Sequence, residues 1–107
     1  MKKILDCVDE LKKILVDSDV YQNYLLAKKN LSDEELALIK EYKRLHIDFI
    51  NKKSNSFEDE KIISSLYSRL NLNPRTHDFL KSELILTDCL KEIYIKIGED
   101  LDINVFA

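Results

Sequence analysis

The stretch PRTHDFLKSELILTDCLKEIYIKIG, residues 74–98, runs from the chain's single proline to its single glycine, and its reading decides the fold. Asn73 followed by Pro74 is a helix start: an N-cap side chain, then a proline at the first helical position, where its missing N–H is not needed. No breaker follows until Gly98, so the stretch predicts the longest helix of the chain. Phe79, Glu83, Leu86, Leu90, Ile93 and Ile97 repeat with a 4-3-4-3-4 spacing, the seam of a helix that packs lengthwise on another. Leu80 and Tyr94 widen that seam, while Leu84, Ile85 and Ile95 lie off it.

The same period extends towards the N-terminus. A helix over about residues 3–16 carries Ile4, Val8, Leu11 and Leu15 as one apolar stripe. Cys7 and Ile14 flank it, and Leu5 and Val16 lie off it. Asp17-Ser18-Asp19 interrupts the pattern and caps a second helix, about 19–30, with Val20, Tyr24, Ala27 and Leu31 on one side and Tyr21 and Leu25 beside them. Ser32-Asp33-Glu34-Glu35 reads as a capping box, Ser32 accepting from the Glu35 N–H and Glu35 reaching back. The helix it opens runs to about Lys52. Leu38, Ile39, Tyr42, Leu45, Phe49 and Ile50 form its apolar arc, and Arg44 and Asp48 form an i,i+4 pair on the far face. After the polar loop Lys52–Ser56, a helix over about 57–70 places Ile62, Ile63, Leu66, Tyr67 and Leu70 together and turns Ser64, Ser65, Ser68 and Arg69 away. The apolar tail Ile103–Ala107 follows the last helix.

These readings add up to an all-α chain of about five helices, an antiparallel bundle with a long C-terminal helix in a single domain, residues 1–107. One glycine and one proline among 107 residues leave no turn chemistry for a strand-rich fold. Hydrophobic residues at 45% and charged residues at 35% suit a globular domain with a solvated surface. A formal net charge of −3 and a pI of about 5.4, with lysines and acids interspersed, speak against direct nucleic-acid binding. No apolar run reaches the roughly 20 residues that span a bilayer, and Asp6, Asp9 and Glu10 interrupt what would be a signal-peptide core. The cytoplasm is the expected compartment. Several helices hold a full apolar arc and further apolar residues outside it, which predicts association through helix faces, with a second copy or with another protein.

Three segments together resemble the YlbF/YmcA family, also called Com_YlbF. Asp19-Val20-Tyr21-Gln22-Asn23-Tyr24, with Ala27 and Leu31, is similar to that family's S-x-x-Y-x-x-Y-x-x-A stretch. Ser32 to Tyr42 resembles its acidic helix start followed by an apolar stripe. Asn73-Pro74 with Phe79-Leu80, Glu83, Leu86, Leu90, Ile93 and Ile97 resembles the opening of its final helix. The resemblance covers about Lys3 to Leu101. It implies a small, cytoplasmic, helical bacterial protein that oligomerises, with itself or with related proteins, and has no known catalytic activity. It further implies a regulatory role in competence, sporulation or biofilm development, in complexes that modulate messenger-RNA maturation through an endoribonuclease. Some family members hold iron–sulfur clusters on cysteines, including ones near the C-terminus. Here no cysteine follows Gly98, and Cys7 and Cys89 fall short of the roughly four thiolates a cluster uses, so no cofactor is expected unless subunits pool their ligands.

The candidate interface residues are Phe79, Glu83, Leu86, Leu90, Ile93, Tyr94 and Ile97 of the last helix, with Tyr21 and Tyr24 of the second. Glu83 stands in the apolar arc, where a carboxylate needs a partner or a water-filled gap. It reads either as a register-setting contact or as a side chain reaching solvent at a splayed helix start. His46 between Tyr42 and Phe49 reads as a core or interface histidine, and His77-Asp78 as first-turn residues, not metal ligands. Cys7 and Cys89 read as small buried apolar residues. No phosphate loop, nucleophile–base set or ligand cluster is present in the sequence, so no catalytic residue is assigned. The function that fits is a non-enzymatic regulatory or scaffold protein acting by protein contacts. The alternatives are an accessory module associated with nucleic acid and a helical oligomer of purely structural role.

Overall fold

A computed structural model describes residues 1–51, 57–99 and 101. The loop expected over Lys52–Ser56 and the tail Ile103–Ala107 lie outside these residues. The described chain forms five helices, α1 (Lys2–Asp17), α2 (Asp19–Lys29), α3 (Asp33–Ile50), α4 (Phe57–Leu72) and α5 (Pro74–Glu99), and no strand. Each begins and ends within two residues of the limits read from the pattern, and side-chain caps mark several of the ends. Ser18 serves two helices: its hydroxyl donates to the Leu15 carbonyl at 2.6 Å and accepts from the Tyr21 N–H at 3.3 Å. Ser32 accepts from the Glu35 N–H at 3.1 Å while its own N–H donates to the Glu35 carboxylate at 2.8 Å, the reciprocal box. Asn73 accepts from the Arg75 N–H at 3.0 Å and opens α5. The Arg44–Asp48 pair is present at 3.6 Å, and Arg44 also holds Glu41 at 2.6 Å.

The chain divides into two compact units. One is Ala27–Phe79; the other joins Met1–Leu26 to the chain from Leu80 on. The first of these contains α3 and α4, which pack on each other, and it holds every buried large apolar side chain among the described residues: Leu31, Ile39, Leu70 and Phe79. Leu70 is fully covered. Thr76, also buried, shares its hydroxyl between the Leu70 carbonyl and the Asn73 carbonyl, which ties the end of α4 to the start of α5. Tyr42 of α3 lies 5.7 Å, ring to ring, from Tyr67 of α4.

The other unit is built differently. It contains α1, most of α2 and α5 from Leu80 on, and among its described residues no large apolar side chain is buried. Amphipathic helices of this length gain most of their stability by covering an apolar face, and here those faces are left largely uncovered.

Candidate interaction surface

The Ala27–Phe79 unit is organised around one carboxylate. Glu35 sits in the first turn of α3 with its side chain only 10% exposed. Besides its capping bond it accepts from the Asn73 amide at 2.6 Å and from the Arg75 Nε at 3.1 Å to each oxygen, with Arg75 Nη2 at 3.1 Å. One acid thereby links the beginning of α3 to the beginning of α5. The Ser32 N–H chiefly, then Asn73 and Arg75, hold the Glu35 carboxyl at about 2, against burial, which acts in the other direction. The capping box was legible in the sequence, but its second use was not: Asn73 and Arg75 lie far along the chain, and no local pattern announces them.

That shift has a measurable consequence. A carboxyl held at about 2 when folded and near 4.5 when unfolded adds stability above pH 4.5 and loses it as the pH falls from there towards 2. The urea midpoint of the wild-type chain therefore falls over that window. In Glu35→Gln, which has no charge to lose, the fall is smaller. Equal pH dependence in the two proteins would show that Glu35 carries no such coupling.

In the other unit the apolar faces of α1 and α5 stand open. On α1, Ile4 is 63% exposed and Ile14 67%, and Leu5, Val8, Leu11 and Val16 are exposed as well; Leu15 alone of the stripe is half-buried. On α5, Leu84, Ile85, Leu90, Tyr94, Ile95 and Ile97 are exposed, whereas Glu83, Leu86, Cys89 and Ile93 are half-buried. The 4-3-4 seam of α5 is thus its better-covered line, and the exposed apolar residues lie along both flanks of it as well as at Leu90 and Ile97. Tyr21 and Tyr24 of α2 are half-buried, ring centroids 6.2 Å apart.

Three expectations need correction. Phe79 is not surface: it is 4% exposed in the core of the Ala27–Phe79 unit, with the Lys43 ammonium 5.8 Å from its ring centre. His46 is exposed and stacks its ring on Tyr42 at 5.6 Å, which removes the core half of its reading and leaves the interface half standing. Cys7 is exposed and Cys89 half-buried, so neither thiol is a buried apolar group. The stripe of α1 carries exposed apolar side chains at Ile4, Val8 and Leu11. Periodicity shows which residues share a face, but not whether anything covers it.

His77 is exposed, its Nδ1 3.1 Å from the Asn71 side-chain oxygen. Cys7 and Cys89 are two thiols on two helices, and no group of three or more His, Cys, Asp or Glu converges among the described residues. No helix of the described residues is long and apolar enough to cross a membrane.

Comparison with known proteins adds the following. The family model described as control of competence regulator ComK, YlbF/YmcA, matches residues 4–102. A UPF0342 protein of Caldicellulosiruptor saccharolyticus is 27% identical over 110 residues, spanning 97% of this chain and 92% of its own. A UPF0342 protein of Caldicellulosiruptor bescii is 24% identical over 108 residues, spanning 95% and 91%. A chain in the crystal structure of Bacillus subtilis RicA in complex with RicF superposes with a TM-score of 0.66 over 94% of each chain, at 18% identity, a likeness of fold.

Proposed function

Since this chain belongs to the YlbF/YmcA family, we propose that it is a non-enzymatic regulatory adaptor that works by protein–protein contacts through the open apolar faces of α1 and α5. The observation that carries this reading is the unit without a core: α1 keeps Ile4, Val8 and Leu11 of its stripe exposed, and nothing in that unit buries a large apolar side chain among the described residues. Exposed apolar area on that scale marks an interaction surface. The similar fold found in a complex of RicA with RicF supports a protein as the partner. The process regulated is competence or a related developmental choice in the cytoplasm, through a complex that matures messenger RNA, as the family membership suggests. The chain contributes binding surface to that complex and no catalytic group.

The test is a charge placed on the stripe. Leu11→Glu must carry an unpaired carboxylate into any interface that covers α1, which weakens association by roughly a hundredfold or more. Sedimentation velocity of wild-type and variant chains, each alone and mixed with a family relative from the same genome, reads this directly. The expected result is an assembly for the wild type and its loss in Leu11→Glu. A wild-type chain that stays monomeric alone and with every relative up to ~100 μM, weaker than most specific pairs, would overturn the reading.

A further inference from the structure

α4 carries a surface of its own, in the unit that has the core. An open groove of about 520 Å³ runs along it, lined by Lys61, Ile62, Ser65, Leu66 and Arg69. Ile62 is 50% exposed and Leu66 half-buried, so the floor is apolar. Phe57 and Leu72, both exposed, extend this side of the helix towards its two ends. Lys61 and Arg69 bracket the groove about 12 Å apart along the axis, eight residues at the helical rise. Both are exposed, and neither pairs with an acid among the described residues. Lys61 instead lies 5.6 Å from the centre of the Phe57 ring. Arg44 and Arg75 differ: they are held by Glu41, Asp48 and Glu35. The dipole of α4 accounts for Arg69 in the last turn, but not for Lys61 in the second. Of the three acids of α4, helical spacing sets only Glu58 on this side; Asp59 and Glu60 are turned round the helix. A chain of net charge −3 thus presents here an apolar floor between two cations without acid partners.

We propose that this groove docks an acidic amphipathic helix of a partner protein, its apolar side on Ile62 and Leu66 and one carboxylate against each of Lys61 and Arg69. Acids seven or eight residues apart on one side of the incoming helix match the spacing of the two cations. Ser65, midway between them, offers its hydroxyl to a polar group of the partner. The charges at the ends select for an acidic partner and the apolar floor holds it. A nucleic acid fits less well, because the floor is apolar and Glu58 stands at the edge. The surface is distinct from the faces of α1 and α5 and lies in the other unit, so it does not depend on the reading given for those faces.

Fluorescence anisotropy with labelled model peptides tests the proposal on the full chain. The probe is an amphipathic helix of about 18 residues, leucines on one side flanked by glutamates, and its twin has lysine at every glutamate. The wild-type chain is expected to bind the acidic peptide with a Kd on the order of 10–100 μM at low salt, and to prefer it to the basic twin despite its own negative charge. Lys61→Glu with Arg69→Glu weakens that binding roughly thirtyfold and reverses the preference. Lys12→Glu with Lys13→Glu makes the same change in net charge on α1 and leaves it unaltered. Ile62→Ala weakens it roughly three- to tenfold through lost apolar contact. Circular dichroism and melting curves of each variant show that the helices are intact. No binding of the acidic peptide up to ~500 μM would overturn the proposal, as would a wild-type preference for the basic twin. Equal losses in the two charge-reversed chains would reduce the effect to net charge and sink it. Unchanged binding in Ile62→Ala would remove the groove as its seat. An oligouridylate that binds as tightly as the acidic peptide, with the same loss in Lys61→Glu with Arg69→Glu, would replace the protein partner with RNA. Loss of assembly in Leu11→Glu tests the α1 face separately, so either result can fail alone.

Discussion

Replacing Leu70 with alanine lowers the stability of the chain by about 3 kcal/mol, within the range for large-to-small changes at fully buried sites. Leu70 is completely covered, one of four large apolar side chains buried among the described residues. A core that small has little capacity to relax around a lost isobutyl group, so the cavity persists. The backbone at this position matters too, because the Leu70 carbonyl receives the buried Thr76 hydroxyl that joins α4 to α5. For a chain of this size the loss lowers Tm by roughly 10 °C or more. Thermal denaturation followed by circular dichroism checks it. Ile62→Ala, on the same helix at an exposed site, shifts Tm by only a small fraction of that. Equal small shifts in the two variants would mean that Leu70 does not belong to the core.

The second large effect is expected at Glu35. Glu35→Ala removes the acceptor for the Ser32 N–H, the Asn73 amide and the Arg75 guanidinium together. An exposed ion pair contributes little, but here the carboxylate is buried and its strongest partner is a backbone N–H at the start of a helix. Losing it frees the α3 end and unties that end from α5. The expected fall in Tm is on the order of 10 °C. Arg75→Ala, whose side chain is 61% exposed, produces a smaller one. The order Glu35→Ala, then Arg75→Ala, distinguishes a carboxylate that organises three donors from an ordinary surface ion pair, and the reverse order would contradict the geometry.

Leu70 and Glu35 also show how differently two structural facts can be legible. Leu70 was visible as the end of an apolar line that includes Ile63 and Leu66, because a helical period of 3.6 residues repeats within a few turns. Glu35 was visible only as half of a local capping box. Its long-range partners follow from how the chain returns to place Asn73 and Arg75 beside the start of α3, and nothing in the spacing of residues records that. Phe79 and Leu86 make the same point on α5. They share one seam in sequence, yet the fold buries Phe79 with Ile39 and Leu70 in one unit and leaves Leu86 half-covered in the other.

Local rules therefore settled the five helices, their caps at Ser18, Ser32 and Asn73, and the residues that share each face, since these depend on neighbours within one or two turns. They also settled the family, because its motifs are spacings along helices. Only the tertiary structure decided which of those faces are covered. Burial depends on what lies opposite a face, and that is a relation between distant segments. In this chain it gives a core to Ala27–Phe79 and leaves most of the stripe of α1, with both flanks of the α5 seam, exposed.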